Sequence, residues 1–122
     1  MSIRVLIVDA DEGSISGIIT SVIEVLENKK VEFDIAENGS VALMKIQENG
    51  YYNLIILDIT IPYMDGIELV KLLKDTAYAD PIVGFSFKDL ADYKERGFTG
   101  YVRKSNYAAL ENVIKELNIG NW

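Results

Sequence analysis

Four consecutive aliphatic residues, Leu54-Ile55-Ile56-Leu57, end at an aspartate, Asp58. A run this apolar has no solvent-facing side. It fits a strand buried on both faces, as in a parallel sheet covered by helices above and below. In open sheets of that kind, binding and chemistry gather beyond the carboxyl ends of the strands. Asp58 therefore stands where a reactive group would be placed.

The rest of the chain repeats the pattern. Apolar runs at Ile3–Asp9, Val31–Ala36, Asn53–Asp58, Pro81–Phe85 and Gly100–Arg103 alternate with segments of helical period. Ile15, Ile18, Ile19, Val22, Ile23 and Leu26 recur at three- and four-residue spacing and predict the first helix. A second is expected from Ser40 to Glu48, between Asn38-Gly39 and Asn49-Gly50. A third starts at Asp65, where Asp65 and Glu68 form a capping pair ahead of Ile67, Val70 and Leu73. The last carries Leu110, Val113, Ile114 and Leu117 and closes at Asn118-Ile119-Gly120. Between Phe85 and Gly100 the apolar periodicity is weak, with room for a shortened helix of about two turns. Strict alternation implies βαβ crossovers and a doubly wound parallel α/β sheet. Five strands and five helices in 122 residues fit a flavodoxin-like (βα)5 arrangement of strand order 2-1-3-4-5, as a single domain over residues 1–122. Trp122 is expected to be a frayed end.

Composition removes whole classes of chemistry. The chain has no cysteine and no histidine, which excludes disulfides, thiolate metal sites, histidine–zinc sites and histidine-based nucleophilic catalysis. Twelve basic against 19 acidic residues give a net charge of −7, a poor match for nucleic acid or an anionic membrane surface. No uncharged apolar run approaches the about 20 residues that cross a bilayer, and a cytoplasmic location is expected.

Under this topology the chemically useful residues meet on one edge. Asp9 and Asp11 follow the first strand, Asp58 ends the third, Ser86 follows the fourth and Lys104 the fifth. A carboxylate cluster, a hydroxyl and an ammonium together suit phosphoryl transfer. One carboxylate serves as nucleophile, neighbouring acids hold Mg²⁺, and the cation and hydroxyl meet the phosphoryl oxygens.

From end to end the chain resembles a response-regulator receiver domain, with no residues left for an output domain. Val5-Leu6-Ile7-Val8-Asp9 resembles the family's first strand and acidic turn. Leu57-Asp58 with Ile61-Pro62-Tyr63-Met64-Asp65-Gly66 resembles its phosphoacceptor strand and the segment after it. Pro81-Ile82-Val83 leading to Ser86, and Gly100-Tyr101-Val102-Arg103-Lys104, resemble its last two strands. The resemblance implies that Asp58 takes a phosphoryl group from a histidine kinase or phosphotransfer protein. Ser86 and Lys104 would bind that group, and Tyr101 would swing inward with Ser86 as a switch. Asp9, Asp58 and the backbone carbonyl of Thr60 would hold Mg²⁺, with Asp11 as a further ligand. A downstream protein would receive the signal, from a monomer or weak homodimer.

Four features depart from the family pattern. Ala10 replaces an acid next to Asp9, Phe87 replaces a small residue after Ser86, and Ser105 replaces a proline after Lys104. The segment before Gly100 is short. A cis bond before Ser105 would cost roughly 2.5–4 kcal/mol, so either the bond is trans and Lys104 is displaced, or strain is tolerated. These departures support an alternative, a pseudo-receiver that binds a partner independently of phosphorylation. A small phosphatase-type enzyme is a weaker alternative, because Asp58-Ile59-Thr60 lacks the second acid of an Asp-x-Asp nucleophile motif.

Overall fold

The computed structural model describes residues 2–76 and 78–121; Trp122 lies outside them. Five strands form one all-parallel sheet: β1 (Ile3–Val8), β2 (Val31–Ala36), β3 (Leu54–Leu57), β4 (Ile82–Ser86) and β5 (Gly100–Arg103). Their order is β2-β1-β3-β4-β5, as the alternation of elements predicts.

Period-two alternation sorts each strand between two cores. Ile3, Val5 and Ile7 of β1, Leu54 and Ile56 of β3, and Val83 and Phe85 of β4 pack on one face. Leu6, Val8, Ile55, Leu57 and Ile82 pack on the other. Neither face of the central strands meets water, which is why their sequences read as unbroken apolar runs.

Four helices supply the cover: α1 (Glu12–Val25), α2 (Gly39–Asn49), α3 (Gly66–Asp75) and α4 (Tyr107–Glu116). Ile18 and Val22 of α1 and Leu110 and Ile114 of α4 close the first face. Ala42 and Ile46 of α2 and Leu69, Val70 and Leu73 of α3 close the second. Ile23, expected on the apolar stripe of α1, is instead 52% exposed. Helix starts follow short polar side chains. Asn38 Oδ1 accepts from Val41 N at 2.8 Å, and Asp65 Oδ1 accepts from Glu68 N at 2.9 Å, so Asp65 is the cap and α3 begins at Gly66.

The fifth helix is absent among the described residues. Residues 87–99 cross from β4 to β5 as bends and turns. The segment places Phe98 in the core and packs Leu90 and Tyr93 against it, too few apolar positions to bury a helical face. Gly97, at φ 102°, then turns the chain against the Lys74 side chain before β5.

Candidate functional site

Strand register brings the two central carboxylates together. Val8 of β1 pairs with Leu57 of β3, and Asp58 N donates to Val8 O at 2.9 Å, so Asp9 and Asp58 emerge side by side. On the other flank Ser86 pairs with Arg103, and Lys104 N donates to Ser86 O at 2.9 Å. Four strand ends thus deliver Asp9, Asp58, Ser86 and Lys104 to one edge. All four are buried, at 2%, 5%, 1% and 7% exposure.

Lys104 joins the acids. Its Nζ lies 2.7 Å from Asp58 Oδ2, 3.2 Å from Asp9 Oδ1 and 3.1 Å from Asp9 Oδ2. The Lys104–Ser105 bond is trans, since no peptide bond among the described residues is cis. Lys104 is nevertheless not displaced. Ser105 makes the turn at φ 76°, a left-handed conformation that redirects the chain after the lysine.

The two acids are held differently. Asp58 Oδ1 accepts from Thr60 N at 2.9 Å and from Thr60 Oγ1 at 2.8 Å. Burial pushes the Asp58 carboxyl up, but Lys104, Thr60 and the nearby Ser86 hydroxyl outweigh it and hold it below the ordinary range. Asp9 Oδ1 accepts from Asp11 N at 2.9 Å, while Oδ2 is buried with no hydrogen bond despite the ammonium at 3.1 Å. For Asp9 burial wins over the Asp11 amide and Lys104, and the carboxyl is raised. Lys104 loses by burial but gains more from Asp58 and Asp9, and its ammonium is held above the ordinary range.

Asp11 does not join this cluster. Its Oδ2 accepts from Ser14 N at 3.1 Å and Ser14 Oγ at 2.8 Å, which caps α1. A first-turn amide and hydroxyl thus engage Oδ2, one of the two oxygens of the carboxylate expected to face a metal. The acids that do line the pocket beside Asp9 and Ala10 are Glu12 and Glu37.

Tyr101 lies across Gly84, its register partner in β4. A Cβ on Gly84 would meet the ring at 2.3 Å, so glycine is what lets the ring settle there. Tyr93 stacks on Tyr101 and Phe98 meets it edge-on, each with centroids 5.8 Å apart. The Tyr101 hydroxyl donates to Lys88 O. Phe87 does not block this path. Its ring points outward, 60% exposed, with Lys104 Nζ 5.9 Å from its centroid. Arg103 Nη1 donates to Phe87 O at 3.1 Å, and Ser86 Oγ accepts from Lys88 N at 3.2 Å. The loop after β4 is pinned from three sides.

Sequence reasoning missed three contributions. The Thr60 hydroxyl orients Asp58, and a threonine two residues past an acid is the visible signal for it. Glu37 enters the pocket from the turn before α2. The Lys88 carbonyl holds Tyr101 and has no side-chain signature.

The pattern describing the response regulator receiver domain matches residues 5–115. A protein-glutamate methylesterase/protein-glutamine glutaminase of Nocardioides sp. (strain ATCC BAA-499 / JS614) is 32% identical over 122 residues, covering 98% of this chain and 30% of that protein. Across three such relatives the chain spans between 28% and 31% of their length. Among solved structures, the Francisella response regulator 1452 receiver domain superposes with TM-score 0.75 and 28% identity, covering 93% of this chain and 94% of that one. The CheX-CheY-BeF3-Mg+2 complex from Borrelia burgdorferi gives TM-score 0.82 at 20% identity, covering 96% of this chain and 90% of that one. Family pattern, fold and strand-end acids agree: the chain belongs to the response regulator receiver domains of two-component systems.

Proposed function

We propose that Asp58 accepts a phosphoryl group from a phosphohistidine on a kinase or phosphotransfer protein, and that the domain then signals through protein contact. The observation that carries this is the geometry of Asp58. Thr60 fixes one of its oxygens with two donors, and Lys104 holds the other at 2.7 Å. An oriented, ionised carboxylate is what the transfer needs. A carboxylate oxygen attacks phosphorus, the P–O bond forms, and the P–N bond to imidazole breaks. The Lys104 ammonium offsets the incoming charge and Ser86 donates to a phosphoryl oxygen.

The residues fit a hard divalent cation. Asp9 Oδ2 is a buried oxygen that lacks a hydrogen bond, and the two carboxylates exceed the charge of Lys104 by one. Asp9, Asp58 and the Thr60 carbonyl would hold Mg²⁺, which when bound neutralises phosphoryl oxygens. Ala10 contributes no ligand.

A second reading is favoured by Ala10 and by Lys104 already spanning both acids: a binding module whose surface is independent of phosphorylation. Labelling with a phosphohistidine donor separates the two. The wild type is expected to become alkali- and hydroxylamine-labile phosphoprotein at one site, and Asp58→Asn to remain unlabelled while folding normally. Label persisting in that variant would remove Asp58 from the role, and an unlabelled wild type would leave the binding module.

A further inference from the structure

Asp58, Ser86 and Lys104 are almost wholly buried, so anything that reaches Asp58 from solvent passes a narrow opening. Phe87 stands on the β4–β5 side of that opening. Its ring centroid lies 5.9 Å from Lys104 Nζ, and the same ammonium lies 2.7 Å from Asp58 Oδ2. Arg103 Cζ is 6.0 Å from that centroid. Two cations at this range attract the ring through its quadrupole. The backbone beneath it is fixed as well. Phe87 O accepts from Arg103 Nη1 at 3.1 Å, and the next amide, Lys88 N, donates to Ser86 Oγ at 3.2 Å.

The fold does not depend on this ring, which is mostly exposed and belongs to neither core. Its position gives it a different use, because an apolar group at the rim of a charged recess keeps water from the side it covers. Phosphoryl transfer runs in line. When Asp58 attacks a donor, the leaving group points out through the opening. When water later attacks the phosphorus, it arrives from that same direction, opposite the Asp58 oxygen. Loading and loss therefore share one corridor.

We infer that Phe87 screens this corridor, slowing hydrolysis of the phosphorylated state and loading by small donors alike. The inference rests on the reading of Asp58 as phosphoacceptor and adds what sets the lifetime of its product. In the step that is slowed, a water oxygen bonds to phosphorus and the P–O bond to Asp58 breaks. Asp58 returns as a carboxylate, and the water's protons leave with inorganic phosphate or pass to solvent. Ala10, small and exposed, leaves the β1 side of the recess uncovered, so the screen slows the reaction without stopping it.

Phosphoramidate is the probe, since it carries the P–N bond of phosphohistidine without the bulk of a protein. The whole chain is loaded with it in the presence of Mg²⁺, the donor is removed, and intact mass follows gain and loss of the phosphoryl group. F87A is expected to load several-fold faster than wild type and to lose the group several-fold faster. F87W, which keeps a ring, should stay near wild type in both rates. Melting temperatures of the three proteins should agree, because the ring lies outside both cores. Equal rates in wild type and F87A would overturn the inference while leaving Asp58 as the acceptor. Faster loss with unchanged loading would also overturn it, because a shared corridor requires both to change. No label in either protein, from phosphoramidate or from the phosphohistidine donor, would overturn the phosphoacceptor reading and this inference with it.

Discussion

Lys104 holds two carboxylates with one ammonium, and the two do not benefit equally. Asp58 is held below its ordinary value of 3.8, so its ionised form stabilises the fold. That stability is present above 3.8 and is lost as pH falls through the lower folded value. Asp9 is raised, so its ionisation costs stability, a cost that sets in above 3.8 and is complete once pH passes the raised value. Opposite outcomes follow at pH 7: Asp9→Asn should raise the melting temperature and Asp58→Asn should lower it. The Asp9→Asn gain should vanish as the melts are repeated towards pH 3. A fall in melting temperature for Asp9→Asn at neutral pH would contradict the burial argument. Lys104 runs the other way from both acids. Its contribution is intact below 10.5 and fades as pH rises through its higher folded value. Lys104→Met leaves both acids buried without a counter-charge, and chemical denaturation should show a loss of about 3–5 kcal/mol.

At the scale of elements, the α1–α4 contact and the helix-free crossover make the clearest predictions. A Cβ at Gly17 of α1 would lie 2.4 Å from the Tyr107 ring of α4, and Ser21 Oγ donates to Glu111 Oε2 at 3.1 Å across the same seam. Gly17→Ala should therefore cost about 1–3 kcal/mol by overpacking, although alanine is the better helix former, and urea melts would show it. Over 87–99 the backbone closes few bonds of its own, such as Arg96 N to Asp92 O and Phe98 N to Tyr93 O. Hydrogen exchange should be fast at 88–95 and slow in α3 and α4; uniform protection would mean that a helix forms there. Much of this level is visible in the sequence, because period alone decides it: Val31–Ala36 and Gly100–Arg103 are strands as expected, and Asn38 and Asp65 mark helix starts. The site was legible to the extent that it lies at strand ends. What escaped depends on local competition or on backbone partners. Asp11 could serve a metal or a helix start, and Ser14, three residues on, decides for the cap. The shared hold of Lys104 comes from register across three strands, and the Tyr101 anchor is a carbonyl that any residue could offer.

Across the whole molecule, the sheet separates two cores that share every central strand. Neither can melt without exposing the other, so unfolding should be one transition. Near-ultraviolet dichroism, carried largely by the seven tyrosines, should lose its signal at the same denaturant concentration as the far-ultraviolet band. Separated midpoints would show the faces to be independent. The sheet also gives Lys104 a second importance. It is a cation fixed to the end of β5, the edge strand of the sheet, and it reaches back to the middle strands. Whatever settles between Asp9 and Asp58 must compete for that ammonium, and whatever grips β5 changes how freely it can be given up. The two events are then coupled by the same free energy in both directions, so a partner at the edge that tightens binding in the acid pocket is itself held more tightly once the pocket is filled.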